Sequence, residues 1–243
     1  MTTKEDMIKR IRNALVKDRE SKPRPPRLDR GTLPELGRVL PPIPADELVR
    51  KFETEFQKLS GKFHRAASPA ELDQILQTIL ADCGPGPAIL SRNPILCALR
   101  MPERMKTLGR ATIAWPEDRA VLPEEIDGFR GECFSSAVGI TGVDAVLAES
   151  GSMVLSSLTE GSQLASLAPP AHIAVFRRTQ VVETLEEALA AAPAPRDPGR
   201  SAPRSIVFIT GSSRTADIEQ ITIRGVHGPT QIHAILAEDA CLE

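Results

Sequence analysis

The stretch "GKFHRAASPAELDQILQTILADCGPGPAILS", residues 61–91, decides the fold class. "GKFHRA" alternates as a short strand does, and "PAILS" is a compact apolar run of strand length. Between them, "SPAELDQILQTILADCG" carries the signals of one helix. Ser68 suits an N-cap, Pro69 suits the first helical turn, and Glu71 completes a capping box. Gly84 marks the helix end. Strand, helix, strand within about thirty residues is a crossover unit, and such units build parallel sheets covered on both faces.

The same alternation continues outward. "NPILCALRMPERMKTLG" predicts a helix broken near Pro102, and "RATIAW" a strand. The region 116–165 departs from the rhythm. There "DAVLAES" and "GSMVLSS" meet near Gly151 as an antiparallel insertion. "AHIAVF" is a strand, "VVETLEEALAAA" a helix, "APAPRDPGRSAPR" a polar linker and "SIVFITG" a strand. "QIHAILAE" supplies the last strand.

Toward the N-terminus, Leu48, Phe52, Phe56 and Leu59 stripe a helix over about 45–60. Seven prolines fall in 21–44, which reads as a stiff extended linker. Before it, Met7, Ile8, Ile11, Ala14 and Leu15 share one face of a helix at 3–19. The division expected is an N-terminal helical arm with its linker, 1–44, and one α/β domain, 45–243.

Composition narrows the function. The formal charge is only −2, but residues 1–30 hold ten Lys/Arg against five Asp/Glu. That basic end suits an acidic partner, a membrane surface or nucleic acid, or is simply a solvated helix and linker. No nucleic-acid partner and no membrane span are expected. The four cysteines at 83, 97, 133 and 241 form no CxxC, so the spacing of a zinc ribbon, a thioredoxin site or a ferredoxin-type cluster is missing. Dispersed thiols and a charged N-terminus predict a cytoplasmic protein.

Three stretches concentrate polar and small residues: "GITGVDAVLAESGSMVLSS" (139–157), "LASLAPPAHIAVF" (164–176) and "GSSRTADIEQITIRGVHGP" (211–229). The apolar run "SIVFIT" is expected to deliver Gly211 to the carboxyl edge of the sheet, where open α/β sheets collect ligands. There Ser212, Ser213 and Thr215 offer hydroxyls, Arg214 a planar fork, and Asp217 a carboxylate. Such a set holds a carboxylate or phosphate, or else caps the next element with Arg214 paired to Asp217 or Glu219. Gly139, Thr141 and Gly142 allow a ligand, or another chain, to come close to the backbone.

Glu149 ends an apolar run, as a nucleophile or base would, or as a surface glutamate at a turn would. His227, in "GVHGP", suits an acid/base or a ligand, and equally a histidine bonded to a backbone carbonyl. His172 and His233 lie within apolar runs and are expected to be buried and hydrogen-bonded. A metal set from Asp217, Glu219, His227 and His172 matches no standard spacing, and no metal is expected.

Taken together, "GITGVDAVLAESGSMVL", "LASLAPPAHIAVF", "TADIEQ" and "GVHGP" resemble the LUD-domain family over residues 130–238. The resemblance implies a three-layer α/β/α sandwich with a mainly parallel sheet, like NagB, ribose-5-phosphate isomerase and CoA transferases. It further implies action with iron–sulfur partner proteins in the oxidation of L-lactate to pyruvate, with no redox cofactor in this chain. "AESG" is similar to the "SENG" segment of CoA transferases, which implies the alternative of a free-standing isomerase- or transferase-type enzyme using Glu149.

Overall fold

The computed structural model describes residues 3–21, 41–114, 123–191, 203, 205–216, 222–224 and 228–242. The chain divides into two compact units, residues 1–41 and 42–243. In the first, α1 (Lys4–Ser21) occupies the predicted helix, with Thr3 Oγ1 accepting from the Asp6 N–H at its start. Most of the proline-rich linker lies outside the described residues.

The second unit opens with α2 (Leu48–Lys58), followed by β1 (Lys62–Ala66), α3 (Pro69–Asp82) and β2 (Ala88–Leu90). The helix read at 68–84 is therefore present. Ser68 Oγ accepts from the Glu71 N–H at 3.3 Å. The Glu71 carboxylate reaches one residue further back than a capping box requires, to the Ala67 N–H at 2.8 Å. Leu72, Leu76, Ile79 and Leu80 form the buried face of α3, each contributing about 1.5–3 kcal/mol.

The broken helix is α4 (Pro94–Ala98) and α5 (Met101–Thr107), separated at Arg100, whose φ of 51° is left-handed. Then come β3 (Thr112–Ala114), α6 (Pro123–Ser135), β4 (Val138–Thr141), β5 (Ala145–Leu147), β6 (Ser152–Ser156), α7 (Ser157–Glu160), α8 (Leu164–Leu167) and β7 (Ala171–Phe176). The chain continues through β8 (Val181–Val182), α9 (Leu185–Ala191), β9 (Ile206–Ile209), β10 (Arg214–Ala216), β11 (Thr222–Arg224) and β12 (Gln231–Ala237).

Six strands form one parallel sheet in the order β1-β12-β7-β4-β2-β3. One face packs against α3, α4 and α5 through Leu72, Leu76, Ile95 and Met105. The opposite face meets α2 through Phe52 and Phe56, and α6 and α8 through Phe129, Cys133 and Ala165. So the fold is three-layered. The last layer is mixed, because it also holds a four-stranded sheet, β8-β5-β6-β9.

β5 and β6 are the antiparallel insertion expected from the sequence. β9 joins them by pairing antiparallel with β6, so "SIVFIT" is not a strand of the main sheet. "VVETLEEALAAA" is likewise not one helix: its two valines are β8. No described helix is long and apolar enough to cross a membrane.

Candidate functional site

Because β9 runs antiparallel beside β6, its end delivers Gly211 to the amino edge of the main sheet. This corrects the expected carboxyl-edge position. Gly211 has φ 83°, and a Cβ there would stand 2.7 Å from the Leu59 carbonyl oxygen, just before β1. Both conformation and space demand glycine. The Ser213 N–H then donates to Pro229 O at 3.1 Å, and the Thr230 N–H to Pro170 O at 2.9 Å. Those bonds tie the segment to the entries of β12 and β7.

The result is an open cleft of about 490 Å³ bordered by Leu59, Leu167, Phe208, Gly211–Ser213, Gly228–Pro229 and Ile232. Ser212 is 7% exposed, and its Oγ has no hydrogen-bond partner among the described residues. Burying an unbonded hydroxyl is costly, and this oxygen is closed to solvent. Arg214 and Thr215 follow immediately, in β10. Asp217 and His227 lie outside the described residues, as does Glu219.

Glu149 stands in the turn between β5 and β6. Its Oε1 accepts from the Leu185 N–H at 3.0 Å, and its own N–H donates to Glu183 O at 3.1 Å. The carboxylate thus caps the first turn of α9, where the helix dipole favours negative charge. A chain of hydroxyls runs from the same turn toward the cleft. Ser150 Oγ donates to Ser152 Oγ at 2.9 Å, and Ser152 Oγ meets Thr210 Oγ1 at 2.7 Å.

Gly139, Thr141 and Gly142 are on β4 and its carboxyl end, away from the cleft. A Cβ on Gly139 would lie 1.6 Å from Ala165 O, and one on Gly142 would lie 2.2 Å from the Asn93 side chain. These glycines admit other parts of the chain. Thr141 Oγ1 donates to Gly142 O and sits 2.8 Å from His172 Nε2. One hydroxyl proton cannot serve both, so Nε2–H of His172 is the donor to Thr141. Burial, helped by His233, pushes the His172 pKa down to about 3. His233 Nδ1 lies 3.0 Å from His64 Nε2. Both histidines expected to be buried and bonded are so.

The carboxyl edge holds a polar cluster that sequence reasoning missed. Connections after β2 and β4 leave in opposite directions, so the gap between these strands is a topological switch point. There Asn93 Nδ2 donates to Glu160 Oε1, and Thr159 Oγ1 donates to Asp144 Oδ1 at 2.8 Å. The Arg92 guanidinium donates to Leu158 O at 2.9 Å. Glu160 is wholly buried, and that burial raises its carboxyl pKa against the lowering bonds from Ser91 and Asn93. In "SLTEGSQ" nothing distinguishes this glutamate from one in a surface loop. The buried Asn93 and Glu160 are flanked by the half-buried Arg92, Asp144 and Thr159, while the open cleft, the candidate binding site, lies at the amino edge.

The sequence model of the LUD domain matches residues 49–237, which span both edges. The chain belongs to the LUD-domain family. Among its relatives, the lactate utilization protein C of an Exiguobacterium strain is 30% identical over 98% of this chain and 97% of that protein. The lactate utilization protein C of Bacillus subtilis is 30% identical over 80% of each chain. A crystal structure of a DUF162 family protein from Deinococcus radiodurans shares the fold of this LUD domain. Its TM-score is 0.56 at 23% identity, covering 81% of this chain and 99% of that one.

Proposed function

We propose that this LUD-domain chain is a component of lactate utilisation, working with iron–sulfur partner proteins in the oxidation of L-lactate to pyruvate. The observation that carries the reading is the similarity, end to end, to proteins named lactate utilization protein C. Removing hydrogen from a 2-hydroxy acid requires an electron acceptor. The reading places the clusters in the partners and gives this chain a binding or organising role.

Its cysteines support that division. Cys83, Cys133 and Cys241 are buried and dispersed. Burial raises all three thiols, Cys133 to about 11, whereas cluster ligands are thiolates. The ligand of this chain is a small anionic group held at the Gly211–Ser213 turn, with backbone N–H groups, hydroxyls and the adjacent Arg214 as the holding set.

A clean deletion of the gene tests the role. Growth on L-lactate as sole carbon source should be lost, growth on pyruvate kept, and the defect restored by the gene in trans. Unimpaired growth on L-lactate, with no second copy of a LUD-domain gene expressed, would refute it.

A further inference from the structure

The cleft runs along the open edge of a strand. Val207 and Ile209 of β9 turn toward the main sheet and Phe208 turns the other way, yet all three border the cleft. A strand shows both its faces to one cavity only along its edge. β6 holds the other edge of β9, and no residue of β6 borders the cleft. Among the described residues β9 has no ladder partner on the cleft side. The ladder to β6 fixes which backbone groups face that way. The Ser157 N–H donates to Ser205 O at 3.0 Å, and the Ser205 N–H donates to Ser157 Oγ at 3.2 Å. Bonded positions recur at every second residue of an antiparallel pair, so Val207 and Ile209 continue the series toward β6. The N–H and C=O groups of Ile206 and Phe208 therefore point into the cleft. The run Ser205–Thr210 carries neither charge nor proline, two devices that keep an edge from pairing, and Phe208 is 42% exposed.

We infer that β9 pairs antiparallel with β9 of a second copy of this chain, about a two-fold axis at Val207. The strand is its own complement. With Val207 on the axis, Ile206 of each copy stands opposite Phe208 of the other, and these are the residues whose backbone groups face outward. Every outward N–H then meets a C=O. Each exposed Phe208 packs beside Ile206 of the second copy, an aromatic–β-branched pair of the kind that stabilises sheets. No described residue bordering the cleft is charged, so two copies of the same net charge meet there without repulsion. The contact is isologous and closes on itself. The second copy supplies the missing wall of the cleft and leaves its Gly211–Ser213 end open. The inference does not depend on what that turn holds.

Sedimentation velocity of the full chain, loaded through the micromolar range, should show a reversible monomer–dimer equilibrium. Phe208→Lys, at an exposed position, should weaken association by about tenfold or more, since it removes both cross-strand pairs. Ile206→Pro removes an outward N–H that the β6 ladder does not use, and should weaken it as well. Phe134→Lys, 67% exposed and away from the cleft, should leave it unchanged. Val207→Cys places two thiols at a non-hydrogen-bonded pair, close enough for a disulfide between copies. Made in a Cys97→Ser background, because Cys97 is the exposed native thiol, it should give a covalent dimer on oxidation. A chain that stays monomeric at every loading would overturn the inference. So would a dimer that Phe208→Lys leaves intact and Val207→Cys fails to cross-link, because it would be held by another surface.

Discussion

Acid should weaken this fold through two histidines, and the size of the effect follows from their burial. His172 and His233 are 0% and 1% exposed, on opposite faces of the main sheet. Burial, and then the neighbouring His233, lowers His172 to about 3. Burial, with His64 and Lys62 alongside, lowers His233 to about 4. In the unfolded chain both titrate near ~6.5. Between pH 6.5 and 4 the unfolded state thus binds protons that the folded state refuses, so stability falls as pH falls.

At pH 5, about 1.5 units below the unfolded pKa, each histidine costs ~2 kcal/mol, and the pair about 4 kcal/mol. Glu160 acts in the opposite sense. Its raised pKa means the folded state keeps a proton that the unfolded state releases, so acidification toward 4.5 stabilises the fold. Urea unfolding followed by far-UV circular dichroism at pH 7.5 and 5.0 should therefore compare variants as well as pH values. His172→Gln keeps a donor for Thr141 and does not titrate. Its stability loss between the two pH values should be about 2 kcal/mol smaller than that of the unmodified chain, and the same holds for His233→Gln. If His172→Gln loses as much stability as the unmodified chain, His172 accepts a proton in the folded state and the reasoning fails.

Glu160→Gln should remove the opposing trend. It keeps an acceptor for Asn93, and its stability relative to the unmodified chain should rise as pH increases from 4.5 to 8 in the same unfolding assay. Gly139→Ala pushes a methyl group into the Ala165 carbonyl and should cost about 3 kcal/mol or more in thermal or urea denaturation. Gly131→Ala, on the open side of α6 with nothing within 4 Å, should instead stabilise by about 1 kcal/mol. The Arg110 guanidinium donates to four carbonyls, those of Leu80, Cys83, Gly84 and Gly86. Arg110→Met strips these partners and should lower stability by about 2 kcal/mol, with Arg110→Lys recovering only part.

The crossover at 61–91 was legible because local chemistry and tertiary burial agree there. Ser68 and Pro69 start α3 wherever it packs, and the apolar spacing matches the face that is buried. Helix α6 was not legible. Phe129 and Cys133 are its buried apolar anchors, and Gly128 and Gly131 dilute the pattern. For β9 the strand was legible but its sheet was not. "IVFI" is apolar throughout, yet Phe208 is exposed and Ile209 buried, as on an edge strand, while all six residues of β7 are buried. Apolar sequence cannot distinguish these situations, because burial on both faces is a property of the neighbours. The expected edge for Gly211 went wrong with that assignment.

Glycine patterns have a parallel ambiguity. Gly139 and Gly142 were read as places where something comes close to the backbone, and Gly211 as part of an anion-holding turn; something comes close at all three. At Gly139 it is Ala165 O, at Gly142 the Asn93 side chain, at Gly211 the Leu59 carbonyl. A missing Cβ records a close approach without recording whether the visitor is a ligand or the chain itself. What separates the two is the neighbouring polar inventory. Around Gly142 the Asn93 amide is engaged at both ends, by Glu160 and by the Ile95 N–H. Beside Gly211 the Ser212 hydroxyl is buried with no partner among the described residues, next to an open cleft. An unmet buried polar group costs about 1–3 kcal/mol, and both edges keep some among the described residues, Asp144 Oδ2 and Glu160 Oε2 at the carboxyl edge and Ser212 Oγ at the amino edge, but of these only Ser212 lines the open cleft.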